Sequence, residues 1–202
     1  MPLKTEPKRQ SEARVALVPL FILALLAPAS LAAQGNALYV DVAAAGLGVA
    51  NGALQLHGGL ELPVGGPWSA VIEPGIYAVG TSDMLSLQLD LSGSARWRPA
   101  GLLGFFAGAG AGIAAAWASA APWASEPGDY SLLGLKAFAL AEAGWAFGSA
   151  SSTIRIEPYV RCAFAIGPEI LGGAAPGVRQ VTEWGYALSA LVGVRIVWTP
   201  RP

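Results

Sequence analysis

Leu85-Ser86-Leu87-Gln88-Leu89-Asp90-Leu91-Ser92-Gly93-Ser94-Ala95-Arg96-Trp97 alternates from end to end. The odd positions hold Leu, Gly, Ala and Trp, and the even positions hold Ser, Gln, Asp and Arg. Side chains of an extended strand point alternately to its two faces, so one face here is oily and the other polar. The same two-faced pattern recurs through the last two thirds of the chain, with tryptophan repeatedly closing the oily face. Regular spacing of such strands between turn residues predicts an all-β fold.

Reading outward from that strand, parity lays down eight strands. They are predicted over Asn36 to Gly48, Ala53 to Pro63, Trp68 to Val79, Leu85 to Trp97, Leu102 to Ala118, Leu132 to Phe147, Thr153 to Ile166 and Trp184 to Trp198. Asn51-Gly52 is a strong hairpin signal, because both residues tolerate a positive φ. Gly65-Gly66-Pro67, Arg98 to Gly101 and Gly148 to Ser151 supply further tight turns, whereas Ser119 to Tyr130 and Gly167 to Thr182 are longer loops. Short turns at one end and long loops at the other are the asymmetry of a membrane barrel, and strands of 11 or more residues are long enough to cross a bilayer at a tilt. A helical bundle is the weaker alternative. Residues 99–125 lack charge and carry G-x-x-x-G spacings, but the neighbouring segments keep period two.

Composition agrees. The polar start of the chain holds Lys4, Lys8, Arg9 and Arg14, followed by the apolar run VALVPLFILALLA over residues 15–27 and the small residues Ala29 to Ala33. This reads as a secretory signal peptide over residues 1–32, leaving residues 33–202 as an outer-membrane β-barrel domain. The first 32 residues carry four basic and two acidic side chains of the 12 and 13 in the whole chain, so the remainder is acidic by about three charges. That balance offers no basic surface for nucleic acid. The one cysteine, Cys162, excludes an intrachain disulfide and reads as a small apolar residue on an oily face.

Alternation alone does not say which face points outward. Three features place the oily face outside. An eight-stranded barrel has an interior just wide enough for its own side chains, too narrow for this many Leu, Ile, Phe and Trp. Trp68, Trp97, Trp145 and Trp198 fall at the turn-side strand ends and Trp117 and Trp184 at the loop side, all on oily parity. Two belts of amphipathic rings suit the two interfaces of a bilayer. Polar parity carries Asp41, Glu61, Glu73, Asp90, Glu142 and Glu157 against Arg96, Arg98, Lys136, Arg155, Arg161 and Arg195, while oily parity carries no charge. Six acids balanced by six bases in a narrow lumen predict ion pairs across it rather than an open pore, because an unpaired buried charge is costly.

With those residues in place, the chain resembles the small eight-stranded outer-membrane barrels of the OmpA, OmpX and OmpW type over residues 36–198. Gly193, Ile196 and Trp198 in the last strand look like the C-terminal signal read by the barrel-assembly machinery. Two departures stand out: Leu191 occupies a position that is usually polar, and Thr199-Pro200-Arg201-Pro202 follow the terminal aromatic residue. The resemblance implies an eight-stranded antiparallel up-and-down transmembrane barrel in the outer membrane of a Gram-negative-type envelope. Its expected partners are the lipid bilayer and the assembly machinery, and a monomer is expected.

The function expected on these grounds is non-enzymatic: an envelope-structural or surface-interaction role through the outer loops. The alternative is a narrow pore or conduit for small apolar molecules, as in the OmpW type. Least favoured is a lipid-modifying enzyme built on His57. Barrels of that kind pair a histidine with Ser or Asp near the rim, but Gly59 stands where a Ser is needed, so His57 reads as a lumen residue bonded to a neighbouring acid. Asp83, Glu126 and Asp129 read as solvated loop acids rather than a cation site, and no metal or cofactor is expected. Gly104, Gly108, Gly110 and Gly112 lack the Lys-Ser/Thr ending of a phosphate loop. They are expected to leave lumen space for Arg155, Arg161 and Tyr159.

Overall fold

The computed structural model describes residues 36–50, 52–81, 84–100, 104–120, 131–148, 153–174 and 190–200. The predicted leader over residues 1–32, and Asn51, Asp83, Glu126, Asp129, Arg179, Glu183 and Trp184, lie outside the described residues. Eight strands form one sheet: β1 (Ala37–Asp41), β2 (Ala53–Gly65), β3 (Trp68–Gly80), β4 (Met84–Trp97), β5 (Phe105–Ala120), β6 (Ser131–Trp145), β7 (Ile154–Ala174) and β8 (Ala190–Trp198). Each is antiparallel to the next, and β8 pairs with β1, so the sheet closes into an up-and-down barrel. Closure removes the sheet edges along the length where β1 pairs with both neighbours.

The period-two pattern sets the two faces as expected. Along β4, Ser86, Gln88, Asp90, Ser92 and Arg96 are buried inside the barrel, and Leu91 and Trp97 are exposed outside it. Ile72, Ile113, Ile156 and Val192 likewise stand on the outer wall. The interior mixes the buried charges with Val71, Phe106, Phe138, Leu140 and Val197. Backbone bonds tie neighbouring turns to one another at the turn side: Arg98 N donates to Pro67 O at 2.7 Å, Ala146 N to Gly104 O at 2.7 Å and Thr199 N to Thr153 O at 2.8 Å.

Two elements differ from the sequence expectation. The first strand ends at Asp41, not Gly48, and residues Val42–Ala50 form a helix, α1. Asp41 caps that helix: its Oδ1 accepts from Ala43 N at 3.1 Å and Ala44 N at 3.0 Å, satisfying two donors of the first turn. The helix lies between β2 and β8, where β1 has stopped. Its sequence, VAAAGLGVA, holds no polar side chain, and Val42, Leu47 and Val49 are exposed. Gly48 makes the fit possible, because a Cβ there would fall 2.7 Å from Gln55 Cβ.

The seventh strand runs to Ala174 rather than Ile166. Gly167-Pro168 reads as the start of a long loop in the sequence, but it is the start of a bulge. The register jumps from Ala137↔Ile166 to Leu135↔Ile170, so Gly167, Pro168 and Glu169 all face Lys136. Gly167 takes φ +71°, which a β-branched residue would resist, and Pro168 has no N–H to lose from the ladder. Glu169 therefore belongs to a strand, not to the predicted loop. Smaller differences occur at the ends of β5 and β6, and of the expected eighth strand the structure describes Ala190–Trp198.

The barrel is filled by aromatic rings laid over glycines on neighbouring strands. Tyr39 faces Gly59, Tyr159 faces both Gly144 and Gly193, Phe106 faces Gly144, and Phe138 faces Gly112. A Cβ at Gly59, Gly193 or Gly112 would meet the ring opposite, and one at Gly144 would meet the Phe106 ring and Tyr159 Cβ. The glycine stripe of β5 thus serves Phe138 and Glu142, not Arg155, Arg161 and Tyr159 as expected. Gly59→Ala, which would drive a methyl into the Tyr39 ring, is expected to cost about 1–3 kcal/mol. Gly46→Ala, on an open face of α1, is expected to be neutral or to stabilise by up to about 1 kcal/mol. Urea unfolding in detergent micelles, followed by tryptophan fluorescence, measures both.

Candidate functional site: an ion-pair plug in the lumen

Polar parity points seven of the eight strands' charged or phenolic side chains into one cross-section of the barrel, and β5 adds Phe106 and the gap at Gly108. Glu142 of β6 is the hub. It accepts from Arg96 of β4 (Nε 3.1 Å, Nη2 2.7 Å), from Arg161 of β7 (Nη2 3.1 Å) and from Arg195 of β8 (Nη2 2.6 Å). Gly108, across the ladder on β5, leaves room for the Glu142 side chain, since a Cβ there would lie 3.3 Å from Glu142 Cγ.

Four further carboxylates extend the cluster. Glu73 of β3 accepts from both terminal nitrogens of Arg161, from Arg195 Nη2 at 3.3 Å and from the Tyr39 hydroxyl. Glu61 of β2 accepts from Arg96 Nη1 at 2.8 Å, from Arg98 Nε and Nη2 at 3.0 Å each and from Ser69 Oγ at 2.6 Å. Glu157 accepts from Arg98 Nη2 at 2.8 Å and lies 3.5 Å from Arg155 Nε. Asp41 accepts from the Tyr159 hydroxyl, so the same carboxylate that caps α1 is fastened to β7. Arg195 stacks over Tyr159 at 3.8 Å and over Tyr39 at 4.8 Å, and Arg96 over Phe106 at 4.8 Å. Cation–π contacts of this kind use the ring faces that the glycines expose.

Arg96, Arg195 and Glu157 have no surface open to water. Charges so placed persist only when paired and hydrogen-bonded, and Glu61, Glu73 and Glu142 each accept from two or more donors, while Glu157 accepts from Arg98 and lies near Arg155 and Arg96. The arrangement packs side chains across the lumen at this level and braces strands that are distant in sequence. Below it, at the turn-side mouth, Glu61, Arg98, Arg155 and Thr199 line a small cavity of about 240 Å³.

The structure brings together Asp41, Glu61, Glu73, Arg96, Arg98, Glu142, Arg155, Glu157, Arg161 and Arg195 of the residues picked from sequence. Asp90 stands beside the cluster. His57 lies between Glu73 (Nδ1 to Oε1, 3.5 Å) and Asp90 (Nε2 to Oδ2, 3.8 Å), so it sits against acids as its parity implies. Lys136 is further along β6, opposite the β7 bulge. Tyr39 and Phe106 are absent from the sequence expectation, and Tyr159 enters it only as a long side chain of the lumen. Their signal is an aromatic residue of inward parity opposite a glycine, which needs the strand register to be read.

The turn-side tryptophans form an exposed ring. Trp68 and Trp97 face each other across the ladder with ring centroids 6.5 Å apart, Trp145 packs edge-on to Phe105 at 6.0 Å, and Trp198 ends β8. Trp117, near the other end of β5, donates its Nε1 to Ser131 Oγ at 3.1 Å. In the segment expected to be the assembly signal, Ile196 and Trp198 are exposed on the outer wall, whereas Gly193 has a packing role against the Tyr159 ring. Among the described residues no group of three or more His, Cys, Asp or Glu could hold a metal ion. No family model, curated protein or solved structure matches the chain.

Glu142→Gln removes the charge that three guanidinium groups share, and it is expected to destabilise the barrel by about 3–5 kcal/mol. Arg98→Ala, at the rim where the side chain keeps 26 % of its surface, is expected to cost clearly less. Chemical unfolding of the two variants side by side measures the difference, and equal losses would contradict a hub at Glu142.

Proposed function

We propose that the chain is a non-enzymatic integral outer-membrane β-barrel, secreted through its N-terminal leader, with an envelope-structural or surface-contact role. The observation that carries this reading is the distribution of charge between the two faces of one closed sheet. The described outer wall is apolar and carries exposed Ile, Leu, Val and Trp, while the acids and arginines are gathered inside. In water that order costs free energy; in a bilayer it is the low-energy order, since a lysine or arginine at mid-membrane on the lipid side costs about 2–4 kcal/mol. The wholly apolar helix α1, with its exposed Val42 and Leu47, supports the same environment.

The plug favours a closed barrel over the pore or conduit reading, because side chains with no water-accessible surface occupy the cross-section. The segments 121–130 and 175–189, which contain most of the proposed contact loops, lie outside the described residues. Two measurements test the proposal. Refolded protein should migrate faster than boiled protein on a gel and give a strand-type circular dichroism spectrum in vesicles. In a planar bilayer it should give no steady conductance. A helical spectrum would overturn the membrane-barrel reading, and a sustained open channel would overturn the closed one.

A further inference from the structure

The arginine–glutamate pairs of the plug are unequal in number. Among the described residues they join five arginines to four glutamates. Asp41, the next acid, is bonded to the Tyr159 hydroxyl and the first amides of α1, four residues along β1 from the turn-side end. Of the five arginines, Arg98 and Arg155 keep the most surface, with 26 % and 19 % of their side chains exposed. Both line the turn-side cavity of about 240 Å³. The guanidinium surface open to water is thus concentrated at that mouth.

Acceptors are scarce there. Both oxygens of Glu61 are occupied: Oε1 accepts from Ser69 and Arg98 Nε, and Oε2 from Arg96 and Arg98 Nη2. Glu157 Oε1 accepts from Arg98 Nη2 at 2.8 Å and lies 3.5 Å from Arg155 Nε, so two guanidinium groups crowd one oxygen. Donors remain. Arg155 donates from Nη1 to Thr199 Oγ1 at 3.2 Å, and its buried Nε has no hydrogen-bond acceptor among the described residues. Arg98 directs Nε and Nη2 to carboxylates, and no described acceptor meets its Nη1. The Thr199 hydroxyl accepts from Arg155 and so keeps its own hydrogen to donate.

We propose that the turn-side mouth binds one ligand through a phosphate group, held between Arg98, Arg155 and the Thr199 hydroxyl. These donors come from three separate segments: just past the end of β4, the start of β7, and just past the end of β8. Donors from several directions suit a tetrahedral oxyanion, whereas a planar carboxylate is satisfied by the fork of a single guanidinium. An anion there also relieves the repulsion between two cations that share one Glu157 oxygen. Trp68 of the exposed aromatic ring forms part of the same wall, so the phosphate of a soluble ester and that of a lipid headgroup both have a route to it. The site belongs to the barrel itself, and the membrane reading above adds only that this mouth faces the periplasm.

The test is isothermal titration of inorganic phosphate into the full chain, refolded in dodecyl maltoside, with acetate as the planar control. Phosphate should bind saturably at one site per chain, and acetate more weakly. Arg155→Gln should weaken phosphate about tenfold, and Thr199→Val, which leaves every ion pair in place, about threefold. Heat-shifted gel mobility shows whether each variant folds, and if Arg155→Gln does not, Thr199→Val carries the test. No saturable binding, acetate bound as tightly as phosphate, or folded variants that bind phosphate unchanged would each overturn the assignment. Native mass spectrometry of the same protein offered phosphatidylglycerol identifies the source. One retained lipid, lost in the weakened variant and displaced by phosphate, assigns a headgroup; phosphate binding without lipid retention assigns a soluble ester. Failure of the phosphate site leaves the membrane reading standing, because insertion into vesicles tests that reading separately.

Discussion

Glu142 and the three guanidinium groups that converge on it hold the middle of this barrel together. An eight-stranded barrel turned oily side out has no hydrophobic core of ordinary size, because its apolar surface faces away from the centre. Much of the cohesion across the lumen therefore comes from polar contacts, beside two small apolar clusters, and those contacts are strong only if they are dry and well paired. Arg96, Arg161 and Arg195 arrive from β4, β7 and β8 and are shared among Glu61, Glu73 and Glu142. The tyrosine and phenylalanine rings insulate the cluster from water, and the glycines opposite them make the insulation thin enough to fit. Glycine, aromatic ring and ion pair are thus one device, repeated around the wall.

The same logic explains why β1 is short. Asp41 serves two masters: the Tyr159 hydroxyl within the lumen and the first backbone amides of α1. Ending the strand there lets one buried carboxylate complete both its lumen contact and a helix cap. The helix then covers β2 and β8 where a strand partner is missing, and its own backbone bonds are internal.

Much of the architecture was legible in the sequence because period two with a charge-free face is a signal that few other arrangements produce. Strand count, order, the inward set of acids and arginines and the turn-side tryptophans all followed from parity. The two misread elements are places where parity carries no information. Residues 42–50 contain no polar side chain, so strand and helix look alike there, and only the cap at Asp41 distinguishes them. Gly167-Pro168 has the composition of a turn but is used as a three-residue bulge, after which the strand resumes. The aromatic–glycine pairing was hidden for a different reason: it is a relation between strands, visible only when the register is known.

Oxygen and water-soluble-quencher accessibility of single spin labels along β4 in vesicles tests the central claim most directly. Labels at Leu85, Leu87 and Leu91 should be open to oxygen and shielded from the polar quencher, and labels at Ser86, Ser92 and Ser94 should be poorly reached by oxygen, giving a period-two profile. A flat profile, or one with the oxygen maxima at the serines, would contradict a barrel whose oily wall faces lipid and whose charges are locked within.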